Sequence, residues 1–173
     1  DAEDIVAVGD AGAVVQYDAG KWRMATVTGP FNALADLRAV AAVASSDGSV
    51  RCVAGGLDSA AIARTEEGEW VDRVLGVTTD LHGVDVLSDG TAVAVGEGGL
   101  VLTIGDGRVG TRPSGTEADL NAVSRRYAVG DVGTMLDLGM DAVQMIATGT
   151  QADLMDVWAD DEGAWIAAAD GSL

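Results

Sequence analysis

One phrase returns four times along this chain, and it limits the fold more than any other feature. It reads Ala35-Asp36-Leu37-Arg38-Ala39-Val40, then Thr79-Asp80-Leu81-His82-Gly83-Val84, then Ala118-Asp119-Leu120-Asn121-Ala122-Val123, and last Ala152-Asp153-Leu154-Met155-Asp156-Val157. Asp, Leu and Val keep their offsets at a spacing of about 40 residues, which is the mark of a repeat architecture. Local propensity argues against the repeat at one place. Residues 33–44 are rich in alanine and carry apolar side chains at helical spacing. The later copies do not, since Leu81-His82-Gly83-Val84-Asp85-Val86 alternates and holds a glycine. The repeat therefore predicts a strand at all four copies.

Each phrase leads into the same series of short apolar runs and tight turns. Asp-Gly or Gly-Gly pairs between such runs are hairpin signals. After the first phrase come Ser46-Asp47-Gly48, Gly55-Gly56 and Glu66-Glu67-Gly68; after the second, Ser88-Asp89-Gly90, Gly96-Glu97-Gly98-Gly99 and Gly105-Asp106-Gly107. Each period thus holds four antiparallel strands, A to D, with the phrase opening strand A. Four strands in about 40 residues is a β-propeller blade. The fold class is all-β. The chain reads as one propeller repeat domain, 1–173. Strands B to D of a first blade fill 4–30, with the D strand running from Lys21 to about Val27. Repeat units follow at 31–76, 77–115 and 116–149, and a partial unit at 150–173.

Val8-Gly9-Asp10-Ala11-Gly12, Val129-Gly130-Asp131-Val132-Gly133, Gly20-Lys21-Trp22 and the phrase Ala118 to Val123 resemble the Asp-box (BNR-like) and photosystem II assembly factor-like propeller repeats. Thr65-Glu66-Glu67-Gly68-Glu69-Trp70 matches the Asp-box only approximately. The resemblance covers nearly the whole chain and implies a propeller, complete or split. It implies little about function, because a fold of this kind hosts many. The end strands do not balance. Strand A at Leu154 to Ala159 could complete the first blade; otherwise the chain is a piece of a larger propeller, or the ends swap or pair between molecules, since an open strand edge invites association.

The charge balance sets the surroundings. The chain has 28 acidic residues against 10 basic, a formal net charge of −18, and Lys21 is its one lysine. Disorder is excluded by a hydrophobic content of 48%, and aromatics at 4% leave the core to Ala, Val, Leu and Ile. An acidic surface over small apolar side chains suits molar salt, where ions screen repulsion within roughly 3 Å and salting-out strengthens burial. Phosphate contacts need Lys and Arg, so nucleic acid is not an expected partner. Cys52 stands alone in an apolar run and reads as a small buried hydrophobe, which leaves no zinc or thiol site. The sequence has no apolar stretch long enough to span a membrane and no signal peptide. Removal of a leader, and an extracytoplasmic location, stay open.

Candidate site residues follow from strand direction. D-to-A and B-to-C connections share one side of a propeller. Asp36, Asp80, Asp119 and Asp153 therefore stand with Asp10, Asp58, Glu97, Asp131 and Asp170. Two readings of the phrase aspartates are open. They bond backbone N–H groups at a repeating turn, or they ring the channel mouth and hold Ca²⁺ or another hard cation through oxygen. Arg38, His82, Asn121 and Met155 occupy one equivalent position inside the mouth and differ in every copy, which marks either a candidate binding position or one that simply tolerates variety. His82, the lone histidine, is a candidate general base beside Asp80 or Asp85. Arg125-Arg126 replaces the Asp-Gly turn of the earlier units, either as local ion pairs or as a fork for an acidic partner. Trp158 and Trp165 flank the matching loop of the last unit. Trp22 and Trp70 open D strands and cover a blade edge.

These readings favour a non-catalytic binding or scaffold module with a protein or glycan partner. The alternative is a sialidase-like glycan hydrolase at the channel mouth, by fold analogy. That chemistry needs an arginine cluster and a Tyr–Glu pair, and Tyr17 and Tyr127 fall in strands C and B, away from the channel.

Overall fold

The computed structural model describes residues 5–18, 20–29, 35–44, 50–65, 67–73, 75–105, 108–139 and 142–171. The turns at Ser46-Asp47-Gly48 and Asp106-Gly107 lie outside the described residues. So do Phe31 to Leu34.

The strands are short and follow the repeat. β1 (Ile5–Val8), β2 (Val14–Asp18) and β3 (Lys21–Met24) form a three-stranded antiparallel first blade in that order. β5 (Leu37–Ala44), β6 (Val50–Gly56), β7 (Ala61–Arg64) and β8 (Trp70–Asp72) form the second. The third is β9 (Leu81–Val86), β10 (Ala92–Gly96), β11 (Val101–Gly105) and β12 (Arg108–Thr111). The fourth is β13 (Leu120–Ser124), β14 (Tyr127–Gly130), β15 (Met135–Asp137) and β16 (Gln144–Met145). A terminal hairpin follows, β17 (Leu154–Ala159) and β18 (Ala164–Ala168). This is the β-propeller plan, built of separate antiparallel sheets and present here in part. The helix-like stretch is strand from Leu37 to Ala44.

The structure changes two expectations. The first D strand does not run on to Val27. β3 stops at Met24, and β4 (Val27–Thr28) crosses to the next blade, where it lies parallel to β8 with Val27 opposite Trp70. The crossing gives Val27 an apolar cluster that holds Trp70, Val14 and Leu37. The second expectation concerned β17. It pairs with β18 and leaves β1 to β3 as a three-stranded sheet, so it does not complete the first blade.

The core sits between blades. Among the described residues four apolar clusters are present, and each joins two consecutive units. Val14 of the first blade meets Leu37, Cys52, Ala54 and Ile62 of the second. Ala61 of the second meets Leu81, Val84, Ala94 and Leu102 of the third. Val93, Val95 and Val101 of the third meet Leu120, Val123 and Leu136 of the fourth. Val129 and Met135 of the fourth meet Leu154 and Val157 of the hairpin. Leu37, Leu81, Leu120 and Leu154 are equivalent, and all are at most 4% exposed. Burying one such side chain contributes about 1.5–3 kcal/mol. The phrase is therefore a docking element, and its Leu and Val press on the sheet before them.

Candidate functional site

The phrase aspartates do bond backbone N–H groups, but the donors belong to the preceding blade. Between strands B and C the first three blades make a 3₁₀ turn and the fourth a tight turn, and the middle residue of each is left-handed: Ala11 at φ 54°, Asp58 at 53°, Gly98 at 64°, Val132 at 55°. That backbone points one amide toward the next blade. Asp36 Oδ1 accepts from Ala11 N at 2.9 Å, Asp80 Oδ1 from Asp58 N at 2.8 Å, Asp119 Oδ1 from Gly98 N at 2.7 Å and Asp153 Oδ1 from Val132 N at 3.0 Å. The backbone oxygen of the same aspartate serves its own blade: Asp80 O accepts from Glu97 N at 3.1 Å and Asp119 O from Asp131 N at 2.9 Å. One residue thus ties two blades, which is why it repeats with the blade.

This tie leaves no room for a side chain at the end of strand B. A Cβ on Gly56, Gly96 or Gly130 would stand 1.9–2.0 Å from the oxygen of Asp36, Asp80 or Asp119. At Gly9, where no strand A pairs with β1, nothing lies within 4 Å.

The variable position of the phrase makes a second tie, this time forward. His82 Nδ1 lies 3.2 Å from Leu120 O, and Asn121 Nδ2 donates to Leu154 O at 3.0 Å and to Asp131 Oδ1 at 2.9 Å. Arg38 instead bends back to its own Asp36 at 3.4 Å. Met155, at the same position in the hairpin, is exposed. These four residues are equivalent along the inner strands, and two of them clasp the next blade. His82 is thereby turned to a backbone carbonyl.

The opposite side carries the arginine pair. Arg125 takes a left-handed turn position at φ 53°. Its backbone N–H donates to Asp85 of the third blade, and its guanidinium pairs with Asp161 in the turn of the terminal hairpin. Arg126 forks onto Asp137, donating from Nε to Oδ1 at 2.8 Å and from an Nη to Oδ2. The arginine hydrogen bond holds the Asp137 carboxyl below its ordinary value, helped by the Gly139 N–H at 3.0 Å. The same pairing raises the Arg126 guanidinium. Near the strand C to D turn of the second blade, a backbone hydrogen bond and Thr65 lower Glu67. Both arginines are thus engaged within the molecule.

Among the described residues, no group of three His, Cys, Asp or Glu side chains stands close enough to hold a metal ion. A cleft between the first two blades is lined by Gly12, Val27, Ala35, Leu37, Ala60, Ala61, Ile62 and Asp72. It is apolar with one carboxylate. The blade ties, invisible in any one repeat, are what sequence reasoning missed. Their signal was present in the joint recurrence of the phrase Asp and the turn glycine.

These features define a class: a β-propeller, partial in this chain, whose blades dock through a repeated Asp-Leu-x-x-Val strand. No family model and no curated protein matches the chain. Its fold is similar to a solved structure described as YCF48 bound to D1 peptide, with a TM-score of 0.69, 14% sequence identity and coverage of 97% of this chain. The chain spans 58% of the length of that structure. At this identity the likeness shows the propeller fold. Among the described residues no helix is long and apolar enough to cross a membrane.

Proposed function

We propose that the chain is a non-catalytic binding or scaffold module whose partner is a polypeptide segment. The observation that carries this reading is the likeness to a propeller whose solved structure contains a bound peptide. Charge supports a choice among peptides. The side that bears the B-to-C turns also bears the exposed carboxylates of Asp10, Asp58 and Glu97, in a chain of net charge −18. Such a surface attracts cationic segments and repels anionic ones.

The test is fluorescence anisotropy with two unstructured peptides of equal length, one lysine-rich and one glutamate-rich. The lysine-rich peptide should bind, more weakly as salt rises, and Asp58→Asn with Glu97→Gln should weaken it further. Equal binding of both peptides, or binding of neither, contradicts the proposal.

Adaptation to molar salt belongs to the same reading. The thermal midpoint should rise from 0.1 to 3 M NaCl as the screening length shrinks from about 10 Å to below 3 Å. A flat midpoint removes the halophilic reading. Ca²⁺ tested at matched ionic strength addresses the phrase aspartates. Extra stabilisation by Ca²⁺ would assign them a cation, and an equal effect would leave them as docking groups.

A further inference from the structure

We propose that the outer edge of the third blade takes an extended peptide as a fifth strand, parallel to β12. This rests on the peptide reading above and gives that peptide a place. The second blade supplies the precedent from the chain itself. There β4 lies parallel to β8 on its outer side, with Val27 opposite Trp70 and Thr28 opposite Val71. Backbone direction makes the pairing possible. Arg73 N donates to Ala61 O at 2.8 Å. By the alternation of an antiparallel pair, Trp70 and Asp72 then turn their backbone groups away from β7 and toward β4.

β12 has the same alternation. Arg112 N donates to Val101 O at 2.9 Å, which turns the backbone groups of Val109 and Thr111 outward. The sheet order ends at β12, and among the described residues no strand pairs with its outer side. Every residue of β12 is exposed. Val109, opposite Ile104, is the equivalent of Trp70, opposite Arg64. Val109 is 37% exposed where Trp70 is 1% exposed. The link into the third blade does not repeat the crossing. It is shorter between Gly76 and Asp80 than the earlier link is between Gly29 and Asp36. Its Leu75 turns into the core with Leu81 and Leu102 instead of lying along the edge. The fourth blade offers less, because β16 is a strand of only two residues.

Direction and charge define the occupant. Val27 joins the apolar cluster of Trp70, the residue it stands opposite. A peptide residue opposite Val109 takes the same relation to Val109 and to Ile104, which packs on the cluster of the third blade. A β-branched apolar side chain fits there. Exposed Arg108 opens β12, so a parallel strand begins beside a cation and suits an acidic residue at that point. β12 ends on the side of the B-to-C turns, where Glu97 and Glu117 of the same blade are exposed. Lysines suit that end. The partner is an extended segment that runs from an acidic residue through alternating β-branched residues to a cationic tail. Main-chain hydrogen bonds supply its affinity, as in other cases of strand addition.

Fluorescence anisotropy with a labelled peptide tests this. The probe begins with a glutamate, alternates valine and threonine, and ends in a lysine tail. The wild-type chain should bind it. Two N-methylated forms of the probe carry their methyl groups on alternate residues, one form on each set. One form should bind about tenfold or more weakly and the other nearly as well as the parent, since only alternate N–H groups of a strand face its neighbour. Thr111→Pro removes an outward N–H from β12 and should weaken binding of the parent probe by a similar factor. An edge strand tolerates proline at such a position, and circular dichroism checks the fold. Should that variant unfold, the two methylated probes decide alone, because they leave the protein unchanged. Equal affinity of the two methylated forms overturns the proposal. So does a folded Thr111→Pro that binds as the wild type does. Binding of the lysine-rich peptide of the preceding test without binding of this probe overturns the edge site and leaves the wider peptide reading standing. Binding of neither peptide ends both.

Discussion

Trp22 and Trp70 open the outer strands of consecutive blades at the same register, opposite Tyr17 and Arg64. Trp70 is 1% exposed and Trp22 is 53% exposed. Nothing in the two strands accounts for the difference. The first blade stands in front of Trp70, and β4 runs alongside it. No described blade stands in front of Trp22. The same contrast separates Gly130, wedged against Asp119, from Gly9, which is open. A blade of this protein is completed by its neighbours. Stability in such an array is the sum of weak units and strong nearest-neighbour contacts.

Paired substitutions can break or sharpen this contrast. The largest effect belongs to Leu120→Ala, which empties a fully buried site between the third and fourth blades. It should cost about 2–5 kcal/mol in urea unfolding, while Trp22→Ala at the end blade should stay within about 0.5 kcal/mol. Comparable losses at the two sites would end the distinction between interior and terminal blades.

The glycine pair comes next. Gly130→Ala forces a methyl onto the Asp119 carbonyl and should destabilise by about 1–3 kcal/mol or more. Gly9 is extended at φ −172°, so Gly9→Ala should be nearly neutral. Thermal melts of the two variants decide this.

A smaller change, of opposite sign, is expected at Val132. Its left-handed backbone at φ 55° is costly for a β-branched residue, and the equivalent residue in the third blade is Gly98. Val132→Gly should gain about 1 kcal/mol, and a loss would show that the Val132 side chain makes contacts of its own. The smallest effect concerns pH. Asp137 titrates below its ordinary value when folded, so its contribution is present above that value and fades as pH falls through the folded one. Arg126→Gln should move the Asp137 titration upward by NMR, and an unchanged titration would assign the shift to Gly139 N–H alone.

The sequence made the strands legible because the phrase outweighs local propensity. Residues 33–44 look helical alone, and only comparison with Leu81 to Val86 predicts the strand found at Leu37–Ala44. The buried leucines were legible for the same reason. The partner of each phrase aspartate was not. Asp119 reaches Gly98 across blades, through stacking that no single repeat encodes. The path of β4 was equally hidden, since a Val-Thr pair before Gly29 reads as the end of its own strand. Trp22 and Trp70 share one sequence context, and burial separates them only once the blades are assembled.

The central claim is that the phrase docks one blade onto another, and a double-mutant cycle tests it most directly. Leu120 on β13 and Val95 on β10 are both 0% exposed and share one cluster across the third and fourth blades. Leu120→Ala and Val95→Ala should couple by about 0.5–3 kcal/mol in urea unfolding, whereas Leu120→Ala and Ile62→Ala, in different clusters, should add. Additivity of Leu120→Ala with Val95→Ala, to within about 0.5 kcal/mol, would contradict the claim.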